Sequence, residues 1–270
     1  MKIDLLVIDP QYDFCDFGDS ALPVKGANAD MDRLAVFVRR NMKKIDDIHI
    51  TMDSHRLIDI AHPIWWVNSS GKRPNPFDFI SADDVANGIW TPRAQEARAR
   101  SLKYTQQLEA QGTYKLQIWN PHCLIGTPGH NIHAALNEVL QEWSDKEFSM
   151  VNYVTKGSNP WTEHYGALMA EVPDPDDPTT SLNTPFLEML EKADIVLAAG
   201  EALSHCLRKT VTQIADNIGP EHIKKFHILT DCTSSIAAVP GADFPTMSQQ
   251  WLREMEKRGM HLVNSKDFLK

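Results

Sequence analysis

The sequence predicts an α/β protein, a three-layer α/β/α sandwich around a parallel, Rossmann-like sheet of six strands. Short β-branched runs alternate along the chain with longer stretches at helical spacing. The runs are mostly apolar throughout, as strands covered on both faces must be, and sheets of that kind are parallel. With 270 residues, 42% of them hydrophobic, the chain can bury one large core. Helices linking parallel strands then cross over with the right-handed sense.

Taken in order, residues 3–9 (IDLLVID) read as the first strand. Asp4 interrupts the apolar stretch and no small-residue cleavage site follows, so a signal peptide is not expected. A helix over 28–44 leads to a strand at 47–53 (DIHITMD). Residues 63–118 break the alternation, and the chain is read as a single domain, 1–270, carrying an insertion at about 63–118. Within it, Thr91-Pro92 is expected to open an exposed helix, supported by Glu96 and Arg100 at i,i+4 and closed by Gly112. Next come a helix at 131–144, a strand at 149–155 and an acidic, Pro-rich surface loop at 172–181. Thr184 is expected to cap a helix over 183–192, with Pro185 in its first turn. A strand at 194–199 precedes a helix at 203–217, where Leu203, Leu207, Val211 and Ile214 form an apolar stripe. The strand at 225–231, the helix at 245–258 and the weaker strand at 260–264 complete the set.

Composition removes several function classes. Acidic residues outnumber basic ones, 36 to 27, for a net charge of −9, and no basic stripe offers itself to a phosphate backbone, so no nucleic-acid partner is expected. No apolar run approaches the roughly 20 residues a membrane span needs. The 4 cysteines, Cys15, Cys123, Cys206 and Cys232, form no CxxC pair, which suits free thiols in a reducing cytoplasm.

Ligands of open parallel sheets bind beyond the carboxyl ends of the strands. Those ends carry Asp9, then Asp53 with His55, then Lys156-Gly157, then Gly200 with Cys206 at the next helix start. A lone cysteine is often just a small buried hydrophobe. Here a helix N-terminus and Lys156 would both favour the thiolate, and Asp9 could take the proton, which makes a nucleophile, base and cation set. Asp53 and His55, two apart in extended chain, face one side. With His62 and His122 they could hold zinc, iron or manganese. Asp-x-His alone is a weak signal, and His49, His130, His133, His164, His222, His227 and His261 are read as ordinary histidines. His205 adjoins Cys206 and is read as facing substrate. Trp65, Trp66, Trp119 and Phe14 serve equally as core or as the wall of a site for a flat ligand. Trp65, Trp66 and the insertion could also line a contact between copies of the chain.

The ordered pieces LLVIDPQYDF (5–14), ALPVKGA (21–27), TMDSH (51–55), WNPHCLIGTPG (119–129), YVTKG (153–157), AAGEALSHC (198–206) and TDCTSSI (230–236) resemble the isochorismatase-like cysteine hydrolases, and among them the nicotinamidase/pyrazinamidase branch. The WNPHC element is the most specific piece. The resemblance implies that Asp9, Lys156 and Cys206 are the catalytic triad. It implies that Asp53, His55 and His122 are metal ligands, with His62 near a further ligand position. Phe14 and Trp119 fall on ring-contacting positions, and a cis peptide is expected at Glu201–Ala202. The N–H groups of Ala202 and Cys206 would form the oxyanion hole. Ser54 stands where the branch usually has Trp, and GEALSHC departs from its usual Gly-x-Ala-Thr-Asp-Tyr-Cys. The implied activity is metal-dependent hydrolysis of nicotinamide through a Cys206 thioester. A related hydrolase for another small amide, carbamoyl or ureido compound is the second reading, and a non-catalytic binding protein on this fold the third.

Overall fold

Six parallel strands form the central sheet: β1 (Ile3–Ile8), β2 (Asp47–Asp53), β3 (Asn152–Lys156), β4 (Ile195–Gly200), β5 (Phe226–Leu229) and β6 (His261–Val263). The computed structural model describes every residue except Thr113, Pro240 and Lys270; Thr113 belongs to the expected insertion and lies outside the described residues. The spatial order is β6-β5-β4-β1-β2-β3, the doubly wound order with its switch point between β1 and β4.

Burial on both faces explains the apolar runs. In β1, Leu6 and Ile8 join one core cluster while Ile3, Leu5 and Val7 join the other. Helices α1 (Ala27–Asn41) and α2 (Ala134–Glu147) cover the second cluster, with Met31, Leu34, Leu140 and Trp143 buried there. The opposite face is covered by α3 (Thr184–Glu191), α4 (Cys206–Asn217) and α5 (Phe244–Arg258), which contribute Leu187, Val211 and Trp251.

Several local expectations are corrected. The α3 cap is Asn183, whose side chain accepts the Phe186 N–H, and Thr184 is the first helical residue. The strand expected at 149–155 begins only at Asn152 and lies at the sheet edge, where its residues alternate between half-buried and exposed. Thr91-Pro92 opens no helix. It pairs antiparallel with Trp66-Val67, and the insertion helix runs Arg98–Ala110. That helix is not an exposed one: Ser101, Tyr104, Thr105 and Leu108 are buried. Arg100 ion-pairs with Asp174 and lies over the Trp161 ring, so it is committed to the 159–177 segment. The 172–181 loop is likewise partly internal, with Asp174 and Thr180 buried.

The close approach of β1 and β4 at the switch point depends on Gly200. Its φ is +110°, and a Cβ there would stand 2.0 Å from the Ile8 carbonyl oxygen, a backbone atom that cannot step aside. Gly200→Ala is expected to cost about 3 kcal/mol or more of unfolding free energy. Gly112→Ala, also at positive φ but with open space around it, is expected to cost about 1–2 kcal/mol. Urea unfolding of the two variants checks the difference.

Candidate active site and metal centre

Asp9 follows β1 with φ 42°. Its backbone N–H donates to Thr51 Oγ1 at 3.0 Å and to the Thr51 carbonyl at 3.2 Å. The Thr51 hydroxyl donates in turn to Asp9 Oδ1. The carboxylate is thereby aimed across the top of the sheet from a residue with no exposed surface. Lys156, the last residue of β3, is 2% exposed. Its Nζ lies 2.9 Å from Asp9 Oδ2, 3.1 Å from Asp53 Oδ1 and 3.7 Å from Cys206 Sγ. Three strand ends and the start of α4 thus meet on one ammonium group.

The electrostatics correct one expectation. Burial raises the Cys206 thiol well above its usual range, and the nearby Asp9 and Asp53 add to this; Lys156 opposes them without prevailing. The helix N-terminus therefore does not leave a resting thiolate. Burial also raises Asp9, with Lys156 acting the other way. Lys156 itself is held well above its ordinary value: burial would lower it, and Asp53 and Asp9 outweigh burial. The resting set is a neutral thiol beside a carboxylate–ammonium pair. Lys156 Nζ stands between the thiol and its base, 3.7 Å from Cys206 Sγ and 2.9 Å from Asp9 Oδ2.

Beside this set stands a metal-binding arrangement. One ligand atom from each of Asp53, His55 and His122 lies within 4.8 Å of the others. The Nδ1 atoms of the histidines are anchored: His55 against Asp59 Oδ2 at 3.2 Å, His122 against the Asn120 carbonyl at 2.7 Å and His62 against the Leu57 carbonyl at 3.2 Å. Each Nε2 is the nitrogen left to face an ion. Burial would lower the His55 pKa, but Asp53 and Asp59 hold it well above its ordinary value, so an ion binding there displaces a proton. His62 stands one step back from the three, its ring centroid 5.3 Å from His55 and 5.9 Å from His122. Its Nε2 is buried with no partner among the described residues, and burial lowers its pKa to about 4, keeping it neutral. Gly157 makes room for the group, since a Cβ there would meet Asp53 Oδ1 at 2.5 Å. Burial would raise the Asp53 pKa, but His55 and Lys156 hold it well below the usual carboxylate range. An anionic donor, anchored imidazole rings and an unsatisfied buried nitrogen fit a divalent ion.

A small pocket lies between the two sets. Phe14, Trp119, His205, Ala202, His122 and Cys206 all line it. The Glu201–Ala202 peptide is cis, as the sequence led us to expect. Among the described residues, the N–H groups of Ala202 and Cys206 donate to no protein acceptor, so both remain available to a ligand. His205 is neutral, burial lowering its pKa to about 3.

Sequence reasoning missed four contributors. Glu163 lines the cavity, and burial pushes its carboxyl up to about 8. Tyr165 lines it too and accepts the Trp119 Nε1–H at 3.1 Å. His164 and His130, read as ordinary histidines, border the site: the Gly157 N–H donates to His164 Nδ1 at 3.4 Å, and His130 Nε2 lies 2.8 Å from Ser54 Oγ. The run WTEHYG just after Lys156-Gly157 was the available signal. The insertion helix supports this wall, because the Tyr104 hydroxyl accepts the Glu163 N–H at 3.0 Å.

No family model and no curated protein matches the sequence. Solved structures match it over nearly its whole length. The nicotinamidase pyrazinamidase of Acinetobacter baumanii is 19% identical, covers 99% of this chain and 98% of its own, and superposes with a TM-score of 0.63. The yeast nicotinamidase Pnc1p bound to the inhibitor nicotinaldehyde is 18% identical over 97% of this chain and 99% of its own, at 0.61. The pyrazinamidase of Pyrococcus horikoshii in complex with zinc is 18% identical over 98% and 99%, at 0.57. The likeness establishes that this chain has the α/β fold of those structures.

The metal reading makes a direct prediction. His122→Ala is expected to weaken zinc binding about 100-fold or more, and Asp59→Ala, which only frees the far side of His55, about tenfold. Titration against a chromophoric chelator checks both.

Proposed function

We propose that the protein is a metal-dependent cysteine amidohydrolase whose substrate is nicotinamide, released as nicotinic acid and ammonia. One observation carries the reading: the buried Lys156 ammonium contacts Asp9, Asp53 and Cys206 at once, joining a nucleophile and base to a metal-binding group at the wall of one small cavity. Phe14 and Trp119 give that pocket aromatic sides.

In the proposed reaction Cys206 Sγ attacks the amide carbonyl carbon while its proton passes to Asp9. The carbonyl oxygen becomes an oxyanion, held by the N–H groups of Ala202 and Cys206. Lys156 balances the charge as it moves from Asp9 to sulfur and back. Asp9 then delivers the proton to the leaving nitrogen, the C–N bond breaks, and ammonia departs from a thioester. Water adds to the thioester carbonyl with its proton going to Asp9, and the C–S bond breaks to give the acid and the thiol. Asp53, His55 and His122, with His62 behind them, would hold a divalent ion, zinc in the first instance. When bound, the ion supplies a Lewis-acid contact for the pyridine nitrogen. Phe14, Trp119 and His205 would hold the ring.

Ammonia release from nicotinamide by zinc-loaded protein tests the proposal. Cys206→Ala is expected to abolish release while unfolding at the same urea concentration as the parent. Lys156→Met is expected to lower kcat by about 1,000-fold or more, since it also leaves Asp9 and Asp53 as unpaired buried charges. Zinc binding without any nicotinamide turnover would move the substrate to another small amide, carbamoyl or ureido compound. Turnover that survives Cys206→Ala would remove the thioester route.

A further inference from the structure

The proposed chemistry leaves one buried carboxyl unused. Glu201 ends β4's run into the cavity, immediately before Ala202, and has no exposed surface. Its Oε2 accepts the Ser234 N–H at 3.1 Å. The hydroxyl of the same serine donates to Asp30 Oδ2 at 2.5 Å. Ser234 thus bridges the Glu201 and Asp30 carboxyls, and Asp30 is itself buried. Two carboxyls held on one serine inside a core are not both ionised. Arg33 ion-pairs with Asp30, while no cation pairs with Glu201 among the described residues. The negative charge therefore rests on Asp30 and the proton on Glu201. A proton on Oε1 also resolves that atom's lack of a partner.

The charged and titratable groups facing Glu201 are Asp30 from α1 and Asp16 and Cys15 from the loop after β1. Ser234 adds only neutral contacts. Burial, then Asp30, drives the Glu201 pKa well above the usual range. The pair sits where it can hold the floor of the cavity. The Leu203 N–H donates to the Ser234 carbonyl at 2.8 Å, and the Ile236 N–H to Ser204 Oγ at 3.2 Å. Segments 201–204 and 234–236 are thus tied to each other, and the carboxyl pair ties both to α1.

We propose that Glu201 and Asp30 share one proton and that this pair positions the Ala202 N–H against the reacting carbonyl oxygen. Glu201 is then a positioning residue, and its effect on turnover rests on the hydrolase reading above. Glu201→Gln keeps an oxygen for Ser234 but has no proton to lose. Glu201→Leu removes that contact.

The experiment compares wild type, Glu201→Gln and Glu201→Leu as zinc-loaded full chains. In the neutral range Glu201→Leu is expected to lose about tenfold or more in kcat with KM changed less than about twofold, and Glu201→Gln to restore kcat to within about twofold. Wild-type kcat falls at alkaline pH as the shared proton leaves, and Glu201→Gln lacks that part of the fall. Urea unfolding gives a readout independent of activity. A carboxyl whose folded pKa is raised loses stability as pH climbs from its unfolded to its folded value. The unfolding constant of wild type relative to Glu201→Gln should therefore rise about tenfold per pH unit as pH climbs above the ordinary carboxyl range toward the raised folded value.

Unchanged kcat in Glu201→Leu would overturn the positioning role, and parallel stability profiles would overturn the shared proton. If wild type hydrolyses no amide, the hydrolase reading fails on its own. Addition of the Cys206 thiol across the C=O of a small aromatic aldehyde then replaces kcat. In that step the S–C bond forms, the π bond breaks and the thiol proton ends on the oxygen, which needs the same N–H. An affinity unaltered by Glu201→Leu would again overturn the positioning role.

Discussion

A lysine ammonium with almost no access to water is the constraint around which this molecule is arranged. Removing such a charge from water costs several kcal/mol after relaxation, and only close opposite charges and hydrogen bonds offset it. Lys156 meets that cost with two carboxylates drawn from two other strands, Asp9 and Asp53. Lys156 in turn favours the charged form of both carboxyls, with His55 acting on Asp53 as well. The polar face of β2 follows from this: Thr51 orients Asp9 while Asp53 faces Lys156 and the histidines. The neighbouring thiol inherits a field in which burial and two anions oppose one cation. It stays protonated at rest and passes its proton to a base already beside it.

Much of this was legible in the chain, and the failures have identifiable causes. Strands β1, β2 and β4 sit inside the sheet, so their apolar runs located them to within a residue. Strand β3 was placed too early because Met150 and Val151 extended its apolar run; Met150 is 89% exposed, and the strand is an edge. The insertion helix was read as exposed because its buried face is built from Ser101, Tyr104 and Thr105, residues that hide an inward face when only hydrophobicity is counted. The residues at the strand ends were picked out from topology, and the structure brings them together. Glu163, His164 and His130 were not, because they lie on loops whose course is set by contacts far away in sequence. The direction of the Cys206 shift was missed for a related reason: a helix start can be read from a sequence, whereas the depth of burial cannot.

The insertion joins its own sheet fragments to the wall of the cavity. The Trp65 indole N–H donates to Ser101 at 3.2 Å, and Tyr104 reaches the backbone of Glu163. Arg100 meanwhile binds Asp174 from the acidic loop. Two segments that look like decoration in the sequence thus brace each other and the Glu163–Tyr165 wall.

The strand order has a consequence of a different kind. Lys156 and the three groups around it come from the ends of β1, β2 and β3 and from the helix after β4, separated by as many as 197 positions in the chain between Asp9 and Cys206. None of the contacts among these elements can form by local folding, and such long-range pairings are made slowly. The site therefore comes into being only when the middle of the sheet is complete. A nascent or partly unfolded chain has neither the buried ammonium nor the thiol beside its base. Its cysteine is then an ordinary exposed thiol, open to oxidants and to other thiols. Assembly of the sheet protects the same sulfur that it equips for chemistry.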